Sequence, residues 1–133
     1  MCDSKNIALL KSAMKNAYAP YSNYKVGALI VSENGAKHVG CNVENASYPQ
    51  GQCAESSAIS AMIVSGDKHI KQIYIMSQDK DGANPCGGCR QRIREFSDSG
   101  TLIKLCSTER TIKILKISDL LPNSFGPEHL RWV

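Results

Sequence analysis

Gln72-Ile73-Tyr74-Ile75-Met76-Ser77 is the stretch on which the fold turns. Ile73, Tyr74, Ile75 and Met76 are continuous, so neither face of the segment is polar and it reads as a strand buried on both sides. Upstream, Ala54 to Ser65 puts Ala58, Ile59, Ala61 and Met62 on a helical face, with Gly66 placed to end the helix. Downstream, Cys86 to Phe96 reads as a second helix that ends near Gly100. A buried strand between two helices makes an α/β fold. The first of these helices, as a crossover, predicts that the strand lies beside and parallel to the strand before it.

Further out, Tyr24 to Val31 carries Val26, Ala28 and Ile30 on one face and Leu29 and Val31 on the other, a second doubly buried strand. Asn34-Gly35 is a hairpin turn that returns His38 to Val43 antiparallel beside it. Before this hairpin, Ile7, Leu10, Met14 and Ala17 recur at helical spacing behind Ser4 as a cap, and Tyr18-Ala19-Pro20-Tyr21-Ser22 breaks the helix. At the other end, Thr101 to Cys106 and Thr111 to Ile117 are strands joined by four residues, too short a link for a parallel crossover, so they form a hairpin. A short helix and an irregular arm follow from Asp119 to Pro127. The 133 residues form one domain, 1–133, long enough to bury a core without disulfides.

Composition narrows the function. The hydrophobic share is 42%, no apolar run is long enough to span a bilayer, and the N-terminus lacks a signal-peptide layout, which predicts a cytoplasmic protein with no membrane partner. The sixteen Lys and Arg are scattered and the net charge is only +4, so the chain lacks the basic stripe of a nucleic-acid binder. Six cysteines without an export signal point to metal or redox chemistry.

Three of them have chemistry-bearing neighbours: Cys53-Ala54-Glu55, then Pro85-Cys86-Gly87-Gly88-Cys89. Cys53, Cys86 and Cys89 are a ligand set for Zn2+, and three protein ligands leave an open position for a reactive water. Both groups stand at helix starts, where the backbone dipole favours thiolate. Three thiolates and a divalent ion sum to one negative charge, to be offset by the helix N-termini and by a cation such as Arg90. Glu55, two residues from a ligand, is placed to move a proton, and a Cys-x-Glu followed by Pro-Cys-x-x-Cys is a zinc-deaminase pattern. A structural four-thiolate site completed by Cys41 or Cys106 would need a second Cys-x-x-Cys knuckle, which is missing. A redox Cys-x-x-Cys leaves Cys53 and Glu55 without a purpose. Cys2, Cys41 and Cys106 read as ordinary thiols, and His38, His69 and His129 as surface histidines.

From about Tyr18 to Leu130 the sequence resembles the short, homotetrameric cytidine deaminases. The carriers are Tyr18-Ala19-Pro20-Tyr21-Ser22, Gly40-Cys41-Asn42-Val43-Glu44-Asn45-Ala46-Ser47-Tyr48, Cys53-Ala54-Glu55, Pro85-Cys86-Gly87-Gly88-Cys89-Arg90-Gln91, and Leu120-Leu121-Pro122-Asn123-Ser124-Phe125-Gly126-Pro127. The resemblance implies a three-layer α/β/α sandwich around a five-stranded mixed sheet, with the last two strands antiparallel. It further implies one Zn2+ per subunit on Cys53, Cys86 and Cys89, with Glu55 as proton shuttle. The product would be uridine or 2′-deoxyuridine plus ammonia, in pyrimidine salvage.

The same resemblance assigns Asn42 and Glu44 to the ribose 3′-hydroxyl, the Ala54 backbone N–H to the pyrimidine carbonyl, and the Asn84 carbonyl to the exocyclic amine. Ala46 belongs to the same substrate-binding loop. Tyr24 and Phe125 match aromatics that flank the base, and Tyr48 one near the sugar, Phe125 and Tyr48 reaching across from neighbouring subunits. Two departures stand out: Tyr24 replaces a usual phenylalanine, and Ser56 stands where most members carry an arginine that donates to the thiolates. Deaminases of RNA, DNA or nucleotides more often have histidine at the Cys53 position, and polynucleotide editors tend to join their last two strands by a helical crossover. Blasticidin-type deaminases lack the run Asn42-Val43-Glu44-Asn45-Ala46, so Glu44 argues for a ribose-bearing substrate.

Overall fold

The computed structural model describes residues 4–130. Its elements, in order, are α1 (Ser4–Lys15), β1 (Val26–Ser32), β2 (Lys37–Cys41), α2 (Ala54–Ser65), β3 (Ile70–Ser77), α3 (Gly87–Glu95), β4 (Leu102–Cys106), β5 (Thr111–Leu115) and α4 (Ile117–Leu120). Single 3₁₀ turns cover Tyr48–Gln50 and Pro127–Leu130. The strands form one five-stranded mixed sheet in the order β2-β1-β3-β4-β5. Among these strands β3 and β4 pair in parallel, Ile73 opposite Ile103, while β1 with β2, β1 with β3, and β4 with β5 are antiparallel.

The alternation expected in β1 sorts the core into two layers. Ala28 and Ile30 face α2 and α3, packing with Ala58, Met62, Ile73, Ile75, Ile93 and Ile103. Leu29 faces α1 and meets Leu10, Met14, Tyr74 and Met76. Helices on both faces of the sheet make the expected three-layer sandwich. No helix among the described residues is long and apolar enough to cross a membrane.

One expectation about neighbours fails. β3 does not lie beside β2; β1 stands between them. The reason is burial: β1 is apolar on both faces and takes an interior place, whereas β2 exposes Lys37 and Val39 and takes the edge. The helix α2 therefore carries the chain past β1 to a strand that runs parallel to β2 but is not its neighbour, and the crossover between adjacent parallel strands is the next one, α3. Element ends also shift: β2 stops at Cys41, not Val43, and β3 starts at Ile70, not Gln72. β1 starts at Val26, not Tyr24, because the Asn42 side chain takes the place of a ladder residue: its Oδ1 accepts from Val26 N at 2.8 Å and its Nδ2 donates to the Tyr24 carbonyl at 2.8 Å. β5 stops at Leu115, and α4 starts at Ile117, where the Asp119 carboxylate accepts from Lys116 N at 2.9 Å. Ser4 is the first described residue of α1. Cys2 falls outside the described residues.

The helix α2 ends as expected. Gly66 is left-handed, φ 100°, and its N–H returns to the carbonyls of Met62 and Ile63. Its first turn, in contrast, is placed by a close approach: a Cβ on Gly40 of β2 would fall 2.4 Å from Ala58 N and 2.6 Å from the Ala54 carbonyl oxygen. Backbone atoms on both sides cannot yield as a flexible side chain can. Gly40→Ala is accordingly expected to destabilise the protein by about 1–3 kcal/mol, read by thermal or denaturant melting. An unchanged melting curve would show that α2 is free to move away from β2.

Candidate active site at two helix N-termini

Because β2, β3 and β4 run in the same direction, α2 and α3 both start at the carboxyl edge of the sheet, where open α/β sheets assemble their sites. Cys53 precedes α2 and Cys86 precedes α3, each extended (φ −75°, ψ 156° and φ −66°, ψ 166°) and each followed by regular helix. Neither side chain is used to cap its own helix, which leaves both sulfurs free for another partner. Cys89 lies one turn into α3 and is fully buried, Cys53 is half-buried, and Cys86 is exposed.

The three sulfurs converge. Cys53 Sγ and Cys86 Sγ are 3.8 Å apart, and all three Sγ atoms lie within 4.8 Å of one another. A tetrahedral zinc with bonds of about 2.3 Å separates its ligands by about 3.8 Å, so this donor set fits that ion. Burial pushes the Cys53 and Cys89 thiols up. Cys86 moves the other way: burial would raise it, but the Cys89 N–H and the neighbouring sulfurs outweigh that. A divalent cation held by the three would reverse the cost for all of them, since a coordinating thiol is deprotonated.

Glu55 follows in the first turn of α2 and is 5% exposed. Burial raises its carboxyl above the usual carboxylate range; its own backbone N–H and the positive charge of Arg92 pull in the opposite direction. A carboxyl so raised beside a metal-ligand cluster marks Glu55 as a candidate for proton transfer.

A cavity of about 400 Å³ opens onto these groups. Cys53, Ala54, Glu55 and Cys86 form its floor; Asn84 comes from the loop after β3, and Tyr24, Asn42, Glu44 and Tyr48 from the segments flanking the first hairpin. Glu44 is already oriented: its carboxylate accepts from Tyr21 N at 3.0 Å, from Ser22 N at 3.2 Å, and from the Ser22 hydroxyl. These bonds hold it below the ordinary carboxylate value, the Ser22 hydroxyl contributing most. Asn42 uses its amide on the β1 backbone, so its position is fixed by the fold itself. Tyr48 is 75% exposed and sits edge-on to Tyr21, ring centroids 5.8 Å apart.

Two expected residues are not in this cavity. Ala46 does not line it, and Phe125 lies elsewhere, 55% exposed on the C-terminal arm and stacked on His129 at 5.2 Å. That arm is fixed to α3: Gln91 Nε2 donates to the Phe125 carbonyl at 2.9 Å, and Arg94 binds Ser124 Oγ at 3.0 Å and pairs with Glu128.

The cation at the sulfurs also differs from the one expected. Arg90 donates to the carbonyls of Pro85, at 2.9 Å, and Leu120, at 3.2 Å, tying the loop before α3 to α4. The guanidinium on a thiol is that of Arg92, Nη1 to Cys89 Sγ 3.6 Å. Its signal was present in the sequence, three residues after Cys89 on a helix, where side chains share a face. Ser56 accepts from Gln52 Nε2 at 3.3 Å. Cys41 is half-buried on β2 and Cys106 buried on β4, neither in the cluster. His38 and His69 are partly buried and pair with Asp67 and Asp98, away from the sulfurs.

Comparison with known proteins agrees with this geometry. A family model described as the cytidine and deoxycytidylate deaminase zinc-binding region matches residues 1–104. The cytidine deaminase of Sporosarcina psychrophila is 34% identical over 128 residues, covering 96% of this chain and 94% of that one. That of Mycoplasma genitalium is 38% identical over 120 residues, covering 90% and 92%. The crystal structure of cytidine deaminase from Burkholderia pseudomallei superposes with a TM-score of 0.86 at 35% identity, over 94% of this chain and all (100%) of that one. With sequence, fold and thiol geometry in agreement, the chain belongs to the cytidine and deoxycytidylate deaminase family.

Proposed function

We propose that the protein is a cytoplasmic, homotetrameric cytidine deaminase that hydrolyses cytidine and 2′-deoxycytidine to uridine and 2′-deoxyuridine with release of ammonia, as in pyrimidine salvage. The observation that carries this reading is the convergence of three cysteine sulfurs, two of which, Cys53 and Cys86, line one cavity together with the buried Glu55. Zinc held by Cys53, Cys86 and Cys89 supplies a Lewis acid that makes water nucleophilic near neutral pH.

The chain's own groups do the rest. Glu55 takes one proton from the attacking water and delivers it to the ring nitrogen as the new C–O bond forms. It then carries the second proton to the amine as the C–N bond breaks, so that water and cytidine become uridine and ammonia. The Ala54 N–H, unpaired within α2 because it stands at the helix start, donates to the pyrimidine carbonyl, and the Asn84 carbonyl accepts from the amine. Glu44 and Asn42 take the ribose 3′-hydroxyl, and the bonds from Tyr21 and Ser22 hold the Glu44 acceptor in place before substrate arrives. Tyr24 lies against the base.

The tetramer completes the site. Phe125 and Tyr48 are large aromatics left exposed, and Phe125 is outside its own chain's cavity. Supplied by a neighbouring subunit, it would cover the base. Phe125→Ala is expected to raise KM about tenfold with zinc content unchanged, the loss of one aromatic contact; a fully active monomer at assay dilution would exclude shared sites. The reading as a whole is tested by absorbance loss when the protein meets cytidine, deoxycytidine, CMP or blasticidin S. Turnover of the two nucleosides is the expected result. Turnover of CMP or blasticidin S alone would redirect the substrate class.

A further inference from the structure

The three sulfurs are answered by a charge from α3. Arg92 lies one turn beyond Cys89, and its Nη1 approaches Cys89 Sγ to 3.6 Å. The guanidinium rests over the backbone of Gly88: a Cβ there would stand 3.2 Å from Arg92 Nη1 and 3.9 Å from Cys86 Sγ. The absence of a side chain at Gly88 thus leaves the space that the guanidinium occupies beside the cluster. The other candidates are committed elsewhere. Arg90 is bound to two backbone carbonyls, and Ser56, on the α2 side, offers an uncharged hydroxyl engaged with Gln52.

We propose that Arg92 is a positioning residue for the zinc centre: its guanidinium balances the excess negative charge of the thiolate cluster and so sets how tightly the ion is held and how electron-poor it is. The role rests on zinc being bound by Cys53, Cys86 and Cys89. Three thiolates and one Zn2+ leave one negative charge; one guanidinium hydrogen-bonded to sulfur cancels it. Withdrawing density from sulfur also strengthens the ion as a Lewis acid, and the charge left uncancelled on a largely buried cluster is costly, so removal of the cation weakens turnover through the first effect and retention through the second.

The test uses the purified holoenzyme and two substitutions, Arg92→Met, which keeps the aliphatic length without the charge, and Arg92→Lys, which restores a charge without the fork. Zinc affinity is measured by competition with a chromophoric chelator, kcat and KM for cytidine at saturating zinc, and melting of the metal-free chains as a control. Arg92→Met is expected to bind zinc about 10- to 100-fold more weakly and to lose kcat with KM unchanged. Arg92→Lys should recover part of both, and metal-free melting should match the parent because the residue is exposed. Zinc affinity in Arg92→Met within about twofold of the parent overturns the proposal, since a positioning partner of a ligand typically changes it more. So does a loss that appears equally in the metal-free melting curve. A parent chain that retains no zinc would sink the metal assignment itself, a result distinct from either.

Discussion

Replacing Glu55 with glutamine is expected to preserve the fold and the zinc content and to lower kcat by at least about 10² to 10⁴. The isosteric amide fills the same buried place at the start of α2 and leaves all three sulfurs untouched. In the proposed mechanism, what it removes is the ability to accept a proton from water and return it to the pyrimidine. In that mechanism Glu55 starts ionised; because burial raises its carboxyl above the ordinary 4.5, kcat/KM of the parent is expected to fall on the acid side at a pH above that value. Near-normal turnover by a zinc-loaded Glu55→Gln chain would remove Glu55 from the chemistry.

Loss of a ligand should be harsher still for the metal. Cys89 is fully buried and built into α3, so Cys89→Ala leaves two sulfurs and a small cavity where the third stood. Zinc content after dialysis is expected to fall well below one per chain, and turnover to background with it. The same loss should be visible as stability. An ion present at 1,000 times its dissociation constant stabilises the folded chain by about 4 kcal/mol, which in a domain of this size corresponds to about 10 °C or more in Tm. The parent should therefore melt lower after chelation, and Cys89→Ala should show no such response. A Cys89→Ala chain with full zinc and activity would mean that the ion sits elsewhere.

Local patterns that report on one element were readable from the residues: the two-faced burial of β1 and β3, the Gly66 stop, the hairpin forced by four residues between β4 and β5. The thiol cluster was readable too, because its three members are fixed by two short motifs. What the sequence did not show is which strand lies beside which. A crossover of the length of α2 spans one strand as easily as none, and the choice falls to the relative burial of β1 and β2, a property of the assembled sheet. Arg90 and Arg92 illustrate the same limit at the scale of one helix turn. Both are cations near Cys89, but Arg90 rotates toward the Pro85 and Leu120 carbonyls while Arg92 stays on the sulfur face. The place of Phe125, beyond the cavity of its own chain, cannot be derived from spacing either.

The most direct test is stepwise return of zinc to chelator-stripped protein, with uridine and ammonia formed from cytidine followed at each step. No turnover is expected without metal, then a linear rise in rate and a plateau at one zinc per chain, with uridine and ammonia in equal amounts. Full deamination by the metal-free chain, or a zinc-saturated chain that leaves cytidine unchanged, would contradict zinc-dependent deamination of cytidine.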